Sequence, residues 1–161
     1  MTGIEPEAVK KAVDALVRKG EAVADGAGTV VASAGLSLAP TRHRLRLGQH
    51  EFHTWCAIDA IGIPAALRED AVATTGCPTC GRPIEIEFRE GRAGPDPEVR
   101  AWLPVQDCCA SVVDDLCPDM NLFCNSGHLD EWRRREGRRA GSALSLEDTL
   151  ELGRRWWGDL A

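Results

Sequence analysis

Residues 52–65 read Phe-His-Thr-Trp-Cys-Ala-Ile-Asp-Ala-Ile-Gly-Ile-Pro-Ala and place a long apolar segment in the first half of the chain. This composition predicts a buried helix over residues 53–62, which ends near Pro64 because the residue before a proline avoids helical dihedral angles. Cys56 and Asp59 are three residues apart, so a helix places the thiol and the carboxyl on one face. Burial raises the pKa of a carboxyl group, and a raised pKa suits a proton donor near neutral pH. A structural thiol in the core is the alternative interpretation of Cys56.

The sequence on either side of this helix predicts further helices and strands. An amphipathic helix is expected over residues 5–19, followed by a hairpin that turns at Asp25-Gly26, which together resemble half of a winged-helix module. The alternation of Ile84, Ile86 and Phe88 with glutamates is typical of a half-buried strand. Further predicted elements are strands at 41–47, 99–103 and 120–123, a helix capped by Ser126, and a helix opened by the capping box Ser145 to Asp148. We therefore predict an α+β fold, with a mixed or antiparallel sheet core and flanking helices, preceded by a partial winged-helix-like segment.

Composition limits the classes of protein to which the chain can belong. Its 161 residues, 43% of them hydrophobic, suffice for a core of its own. The formal net charge of −6 disfavours nucleic-acid partners. No apolar run approaches the roughly 18 residues of a transmembrane helix. An acidic amino terminus is unlike a signal peptide, and the odd number of cysteines, 7, argues against a closed disulfide framework. We expect a cytoplasmic protein with no membrane partner.

Four cysteines form two short motifs that suit a metal ion. Cys77 and Cys80, in Cys-Pro-Thr-Cys-Gly, have the spacing of a zinc knuckle. Cys108 and Cys109 are adjacent and are the candidates to complete four sulfur ligands, so these four residues are a candidate structural zinc site. A redox dithiol and unliganded thiols are the alternatives. The four histidines show no ligand spacing and are expected to be surface or capping residues.

Cys117 begins the stretch Cys-Pro-Asp-Met-Asn-Leu-Phe. Pro118 holds the chain extended there, and the apolar residues that follow predict a strand that anchors the cysteine. Cys124, at the end of the same segment, is expected to be a core residue.

The motifs together resemble those of the alkylmercury (organomercurial) lyases. The resemblance runs from about residue 5 to the carboxyl terminus and rests on residues 52–65, on Cys77-Pro-Thr-x-Gly-x-Pro-Ile, and on the Cys117 segment followed by Trp132. It implies catalytic roles for Cys56, Asp59 and Cys117 and a structural role for Cys77. It also implies that residues 1–40 are a shortened winged-helix-like segment and that residues 41–161 are the catalytic domain. Cys80 and the Cys108-Cys109 pair have no counterpart in the motifs of that family.

The implied reaction is the protonolysis of a carbon–mercury bond. Mercury is a soft metal that prefers thiolate ligands, so Cys56 and Cys117 would hold the mercury while Asp59 delivers a proton to carbon. The resemblance implies no required cofactor. The expected partners are an organomercurial substrate and, for removal of the product, a low-molecular-weight thiol or a mercury-accepting reductase.

Two other functions are consistent with the residues. The first is a thiol-rich protein that binds zinc or copper through Cys77, Cys80, Cys108 and Cys109 without turnover. The second is a winged-helix metalloregulator, which the acidic charge disfavours.

Overall fold

The computed structural model describes residues 5–105, 112–137 and 140–158, and these form an α+β fold with two antiparallel sheets. The helices are α1 (Pro6–Arg18), α2 (Ala57–Leu67), α3 (Ser126–Glu136) and α4 (Leu146–Trp157), with a π-helical turn at Val112–Leu116. The strands are β1 (Ala22–Ala24), β2 (Val30–Ser33), β3 (Leu36–Ser37), β4 (Arg44–Leu47), β5 (His50–Thr54), β6 (Ala71–Gly76), β7 (Pro83–Arg89), β8 (Arg92–Ala93), β9 (Arg100–Pro104), β10 (Leu122–Phe123) and β11 (Gly141–Ser145). No helix in the described part of the chain is long and apolar enough to cross a bilayer.

The two sheets differ in size. The larger one has the order β1-β2-β3-β5-β4-β6-β7-β8, and the smaller one has the order β10-β9-β11. The predicted α+β class is confirmed. The strands of residues 1–40 join the larger sheet through the pairing of β3 with β5. The winged-helix likeness of that segment and a domain boundary after residue 40 stay predictions.

Helix α2 is the centre of the core. Each of its residues from Ala57 to Ala66 is buried, as expected for a helix that is apolar on all sides. One side faces the large sheet and the other packs on α4. The crossing with α4 depends on two glycines, because a β-carbon on Gly153 would overlap the backbone of Gly62, and one on Gly62 would overlap the ring of Trp157.

The predicted bounds of this helix were wrong at both ends. Residues 50–54 form β5, which pairs with β4, and the helix begins only at Ala57, after Cys56. Pro64 lies inside the helix, which continues to Leu67 and ends where Arg68 adopts a left-handed conformation with φ 58°. A proline removes one helical hydrogen bond, and burial of the apolar residues on both sides of Pro64 outweighs that loss here.

Most other predicted elements are confirmed. The first helix, the hairpin after it, the strand at 84–88 and the last helix with its Ser145 capping box are all present. The amino-terminal cap of α3 is Asn125, whose side chain accepts a hydrogen bond from His128 N–H, and not Ser126 as predicted. An asparagine is as good a cap as a serine, so the helix begins one residue earlier than the sequence indicated.

Candidate active site

Cys56 and Asp59 are joined by the first turn of α2. Cys56 is the amino-terminal cap, and its Sγ accepts a hydrogen bond from Asp59 N–H at 3.4 Å. In return, the Asp59 carboxylate accepts a hydrogen bond from Cys56 N–H at 2.9 Å. This reciprocal capping box fixes the positions of both side chains.

Cys117, in the second half of the chain, lies beside Cys56 and Asp59. The Ala57 N–H donates to the Met120 carbonyl at 3.1 Å, and Cys56 Sγ lies 3.7 Å from Met120 Sδ, so the segment after Cys117 is fastened to the start of α2. The two thiols and the Asp59 carboxyl then lie within 4.8 Å of one another, and all three side chains are buried. The structure thus brings together the two cysteines that the family resemblance assigned to one mercury ion.

The turn between β2 and β3 covers Asp59. Gly35 is buried with φ +83°, and a β-carbon there would lie 2.8 Å from Asp59 Cγ. The Gly35 carbonyl accepts a hydrogen bond from Trp55 N–H at 2.9 Å, and Trp157 Nε1 donates to the Ala34 carbonyl at 3.3 Å. These contacts hold the turn against the site and keep water from the carboxyl group.

Burial changes the acidity of both groups on α2. It raises the pKa of the Asp59 carboxyl to about 6, although the hydrogen bonds from Cys56 act in the opposite direction. Burial, together with the hydrogen bond to Cys117 and the charge of Asp59, raises the pKa of the Cys56 thiol well above its ordinary value. A free Cys56 is therefore a thiol at neutral pH, and Asp59 titrates close to neutrality.

A second group of ligands lies at the end of the β6–β7 hairpin. Cys77, Cys80, Cys124 and His128 place their ligand atoms within 4.8 Å of one another. Cys80 Sγ is 3.7 Å from Cys124 Sγ, and Cys77 Sγ is 3.6 Å from His128 Nδ1. Cys77 and Cys124 are buried, His128 is half-buried and Cys80 is exposed.

The sequence predicted only half of this second group. Cys77 and Cys80 were expected there, whereas Cys124 was interpreted as a core residue and His128 as a surface or capping residue. Cys108 and Cys109, the predicted partners, lie outside the described residues, so their role stays a prediction. The signal that was missed is the spacing Cys-x-x-x-His at residues 124–128. It follows the Cys-x-x-Cys pair in the chain and places two metal ligands at the start of a helix.

His43 is buried as well, which differs from the surface position expected of it. Its Nδ1 lies 2.6 Å from Thr75 Oγ1. Burial, with a contribution from the charge of Arg42, lowers the pKa of this imidazole to about 3. His43 is therefore a neutral core residue whose polar atom is paired inside the large sheet.

The group at Cys56, Asp59 and Cys117 combines two soft ligands with one proton carrier. Two thiols at this separation suit a soft metal ion. A carboxyl group whose pKa lies near 6 can take up and release a proton near neutral pH. A buried site also strengthens each electrostatic interaction within it.

Comparison with known proteins identifies a family that the chain resembles. The family model described as alkylmercury lyase matches residues 36–158. An alkylmercury lyase of Streptomyces lividans is 25% identical over 126 residues, which are 77% of this chain and 58% of that protein. An alkylmercury lyase of Pseudomonas putida is 28% identical over 96 residues, which are 59% of this chain and 42% of that protein. The chain thus spans about half the length of these curated relatives.

A solved structure supports the fold assignment. The crystal structure of the mercury-bound form of MerB2 superposes with a TM-score of 0.82 and 24% sequence identity, covering 99% of this chain and 78% of that chain. The described architecture is therefore shared with a protein that binds mercury in its crystal.

Proposed function

The chain belongs to the alkylmercury lyase family, and on that premise we propose that it cleaves carbon–mercury bonds by protonolysis, yielding a hydrocarbon and Hg(II). We assign the catalysis to Cys56, Cys117 and Asp59. The observation that carries the proposal is the grouping of two buried thiols and one buried carboxyl within 4.8 Å.

The first step in this mechanism is capture of the substrate. The Cys56 thiol displaces the ligand X from R–Hg–X, so that a sulfur–mercury bond forms and HX leaves. The buried Cys56 thiol has a raised pKa, and coordination to a soft metal is what favours loss of its proton.

The second step moves the proton to carbon. Cys117 binds the same mercury and gives its proton to the Asp59 carboxylate. Asp59 then delivers this proton to the carbon as the carbon–mercury bond breaks and leaves its electron pair on carbon. The products are R–H and a mercury ion held by two thiolates, so each of the two thiol protons is accounted for.

The acidity of Asp59 suits both halves of this step. Its pKa of about 6 leaves the group mostly ionised at pH 7, ready to accept a proton. The protonated carboxyl remains a far stronger acid than water, and it lies next to the reacting bond in a site with little solvent, so it can deliver its proton to carbon.

The product must then leave the protein. Two thiolates bind Hg(II) firmly, since soft ligands suit a soft metal. We propose that low-molecular-weight thiols, or a mercury-accepting reductase, remove the ion by ligand exchange. The reaction requires no organic cofactor in this scheme, and its expected location is the cytoplasm.

A turnover assay tests the proposal. Purified protein is incubated with an organomercurial and excess thiol, and the protonated hydrocarbon is measured by gas chromatography. We expect many equivalents of hydrocarbon per protein, and none above background with Cys56→Ser or Cys117→Ser. Hydrocarbon release that persists in both variants would contradict the assignment of the site.

A second candidate function is metal binding without turnover, favoured by the ligand group at Cys77, Cys80, Cys124 and His128. The same assay separates the two functions. A protein that binds mercury or zinc stoichiometrically but releases no hydrocarbon would fit this candidate.

A further inference from the structure

We propose that Cys77, Cys80, Cys124 and His128 bind one structural zinc ion, which fastens the β6–β7 turn to the start of α3. This site is separate from Cys56, Asp59 and Cys117, and the inference does not depend on the proposed lyase activity. It uses two residues, Cys124 and His128, that were not predicted as ligands from the sequence.

The distances between the ligand atoms fit a tetrahedral zinc ion. With Zn–S near 2.3 Å and Zn–N near 2.05 Å, tetrahedral geometry requires sulfurs about 3.8 Å apart and a sulfur and a nitrogen about 3.6 Å apart. The observed separations are 3.7 Å for Cys80 Sγ to Cys124 Sγ and 3.6 Å for Cys77 Sγ to His128 Nδ1. The same sulfurs are much too far apart for a disulfide, which needs about 2.05 Å.

The first half of the site is a preformed knuckle. Gly81 N–H donates to the Cys77 carbonyl at 2.8 Å, and Cys77 N–H donates to the Arg82 carbonyl at 2.9 Å. Gly81 has φ +71°, a conformation that suits glycine and turns Cys80 back toward Cys77. The hairpin therefore presents both thiols on one side before any metal binds.

The second half of the site is the start of α3. Asn125 caps this helix through His128 N–H at 2.9 Å, which fixes the backbone of His128 one turn after Cys124. Thr79 Oγ1 donates to the His128 carbonyl at 2.7 Å, so the knuckle and the helix are already in contact. The metal would add four bonds to this contact.

The donor set favours zinc over hard cations. Three thiolates and one imidazole in a closed tetrahedron are a common structural zinc site, with no open position for catalysis. Calcium and magnesium prefer oxygen ligands. Three thiolates leave the zinc complex with one negative charge, and the Arg82 guanidinium beside Cys124 offsets that charge.

The ion would also stabilise the site at α2. Cys124 directly follows β10, and β10 follows Met120, whose carbonyl binds Ala57 N–H. Zinc at Cys124 therefore anchors the carboxyl end of the segment that carries Cys117. A loss of zinc would loosen the segment on which the second thiol depends.

Elemental analysis and thermal unfolding of the full chain test the proposal. Protein purified under reducing conditions without added metal is expected to contain one equivalent of zinc. A strong chelator should remove it and lower the Tm by about 5–10 °C, as for a ligand held well above its Kd. Added Zn²⁺ should restore the Tm. Co²⁺ bound to the apoprotein should give the visible bands and thiolate charge transfer of a tetrahedral thiolate site.

Matched variants locate the ion. Cys80→Ser, at an exposed position, and His128→Asn should each lower zinc affinity at least about ten-fold. His50→Asn, at an exposed histidine of β5, and Cys56→Ser should keep one equivalent. Protein that is metal-free and fails to take up Zn²⁺ under reduction would overturn the proposal. Zinc that is lost in Cys56→Ser but retained in Cys80→Ser would also overturn the proposal. A stable Cys80–Cys124 disulfide in place of the metal would overturn it as well.

Discussion

Gly35 lies directly against the carboxyl group of Asp59, at a distance that leaves no room for a side chain. A β-carbon on Gly35 would lie 2.8 Å from both Cγ and Oδ1 of Asp59. Gly35 belongs to the turn between β2 and β3 of the larger sheet, whereas Asp59 belongs to α2, so two separate elements meet at this carboxyl group. The contact explains how a carboxyl group near the start of a helix is withdrawn from solvent.

Replacing Gly35 with alanine should therefore displace Asp59. We expect Gly35→Ala to lower organomercurial turnover by about 10²-fold, the effect of misplacing a reacting group by about 1 Å. Gly28→Ala is the matched control, because Gly28 has φ +81° but no atom within 4 Å of an added β-carbon. Both variants carry the strain of roughly 1–2 kcal/mol for a non-glycine residue in this conformation. Equal turnover in the two variants would show that the contact with Asp59 is unimportant.

Asp59→Asn should separate mercury binding from cleavage. The amide can still accept the hydrogen bond from Cys56 N–H, but it cannot carry a proton to carbon. We expect mercury binding through the two thiols to persist while hydrocarbon release falls by about 10²-fold or more. Asp14→Asn, at an exposed position of α1, serves as the control. The measurements are mercury stoichiometry and hydrocarbon release on the same samples, and unchanged release would remove Asp59 from the mechanism.

The raised pKa of Asp59 also predicts how stability depends on pH. The folded protein holds this proton up to about pH 6, whereas the unfolded chain releases it near the ordinary value of 3.8. Folded molecules thus bind more protons between these values, and the contribution of Asp59 to stability falls as pH rises through that window. The rise in the pKa of Asp59 from 3.8 to about 6 corresponds to a change of about 3 kcal/mol in the free energy of unfolding across this window.

Comparing the wild type with Asp59→Asn isolates this effect. His43 acts in the opposite direction, because its pKa is lowered to about 3 and its contribution to stability rises with pH. It is the same in both proteins and cancels in their difference. In urea unfolding from pH 4 to pH 7, we expect Asp59→Asn to gain stability relative to the wild type as pH rises. Parallel pH profiles would contradict the raised pKa.

The crossing of α2 and α4 predicts a strong effect of one added methyl group. Gly153→Ala places a β-carbon on the backbone of Gly62, so the two helices must separate. We expect a loss of about 1–3 kcal/mol in the free energy of unfolding, despite the better helix propensity of alanine. Gly158→Ala, at the end of the same helix with no atom near an added β-carbon, should change stability by less than about 0.5 kcal/mol. Urea denaturation of both variants measures the difference, and equal stabilities would contradict the close approach.

The sequence predicted the parts of the site that depend on local spacing. Cys56 and Asp59 are three residues apart, so a helix here was expected to bring their side chains together. The structure does so through a capping box at the start of α2, and not within the helix as predicted. The knuckle at Cys77 and Cys80 is equally local. The proximity of Cys117 to Cys56 came from the family resemblance, since no local rule joins residues that far apart.

Other features could not be predicted because they arise from tertiary packing. Cys124 and His128 become ligand neighbours of Cys77 only when α3 docks on the β6–β7 turn. Pro64 remains inside α2 because the helix is buried on all sides, a condition that outweighs a local preference. The apolar pattern assigned His53 to a helix, but His53 lies in β5. Its pairing with β4 is a tertiary contact that the local sequence does not reveal.

The bond from Ala57 N–H to the Met120 carbonyl has a consequence for incompletely folded chains. Cys56, at the start of α2, is only one of the two thiols, and Cys117 reaches it only when the Cys117 segment docks on α2. A chain in which the Cys117 segment has not yet docked could trap an organomercurial on a single sulfur, with no second thiol to complete the reaction. Hydrocarbon release would then report the finished tertiary structure, and toxic substrate met during synthesis would be sequestered before it could be destroyed.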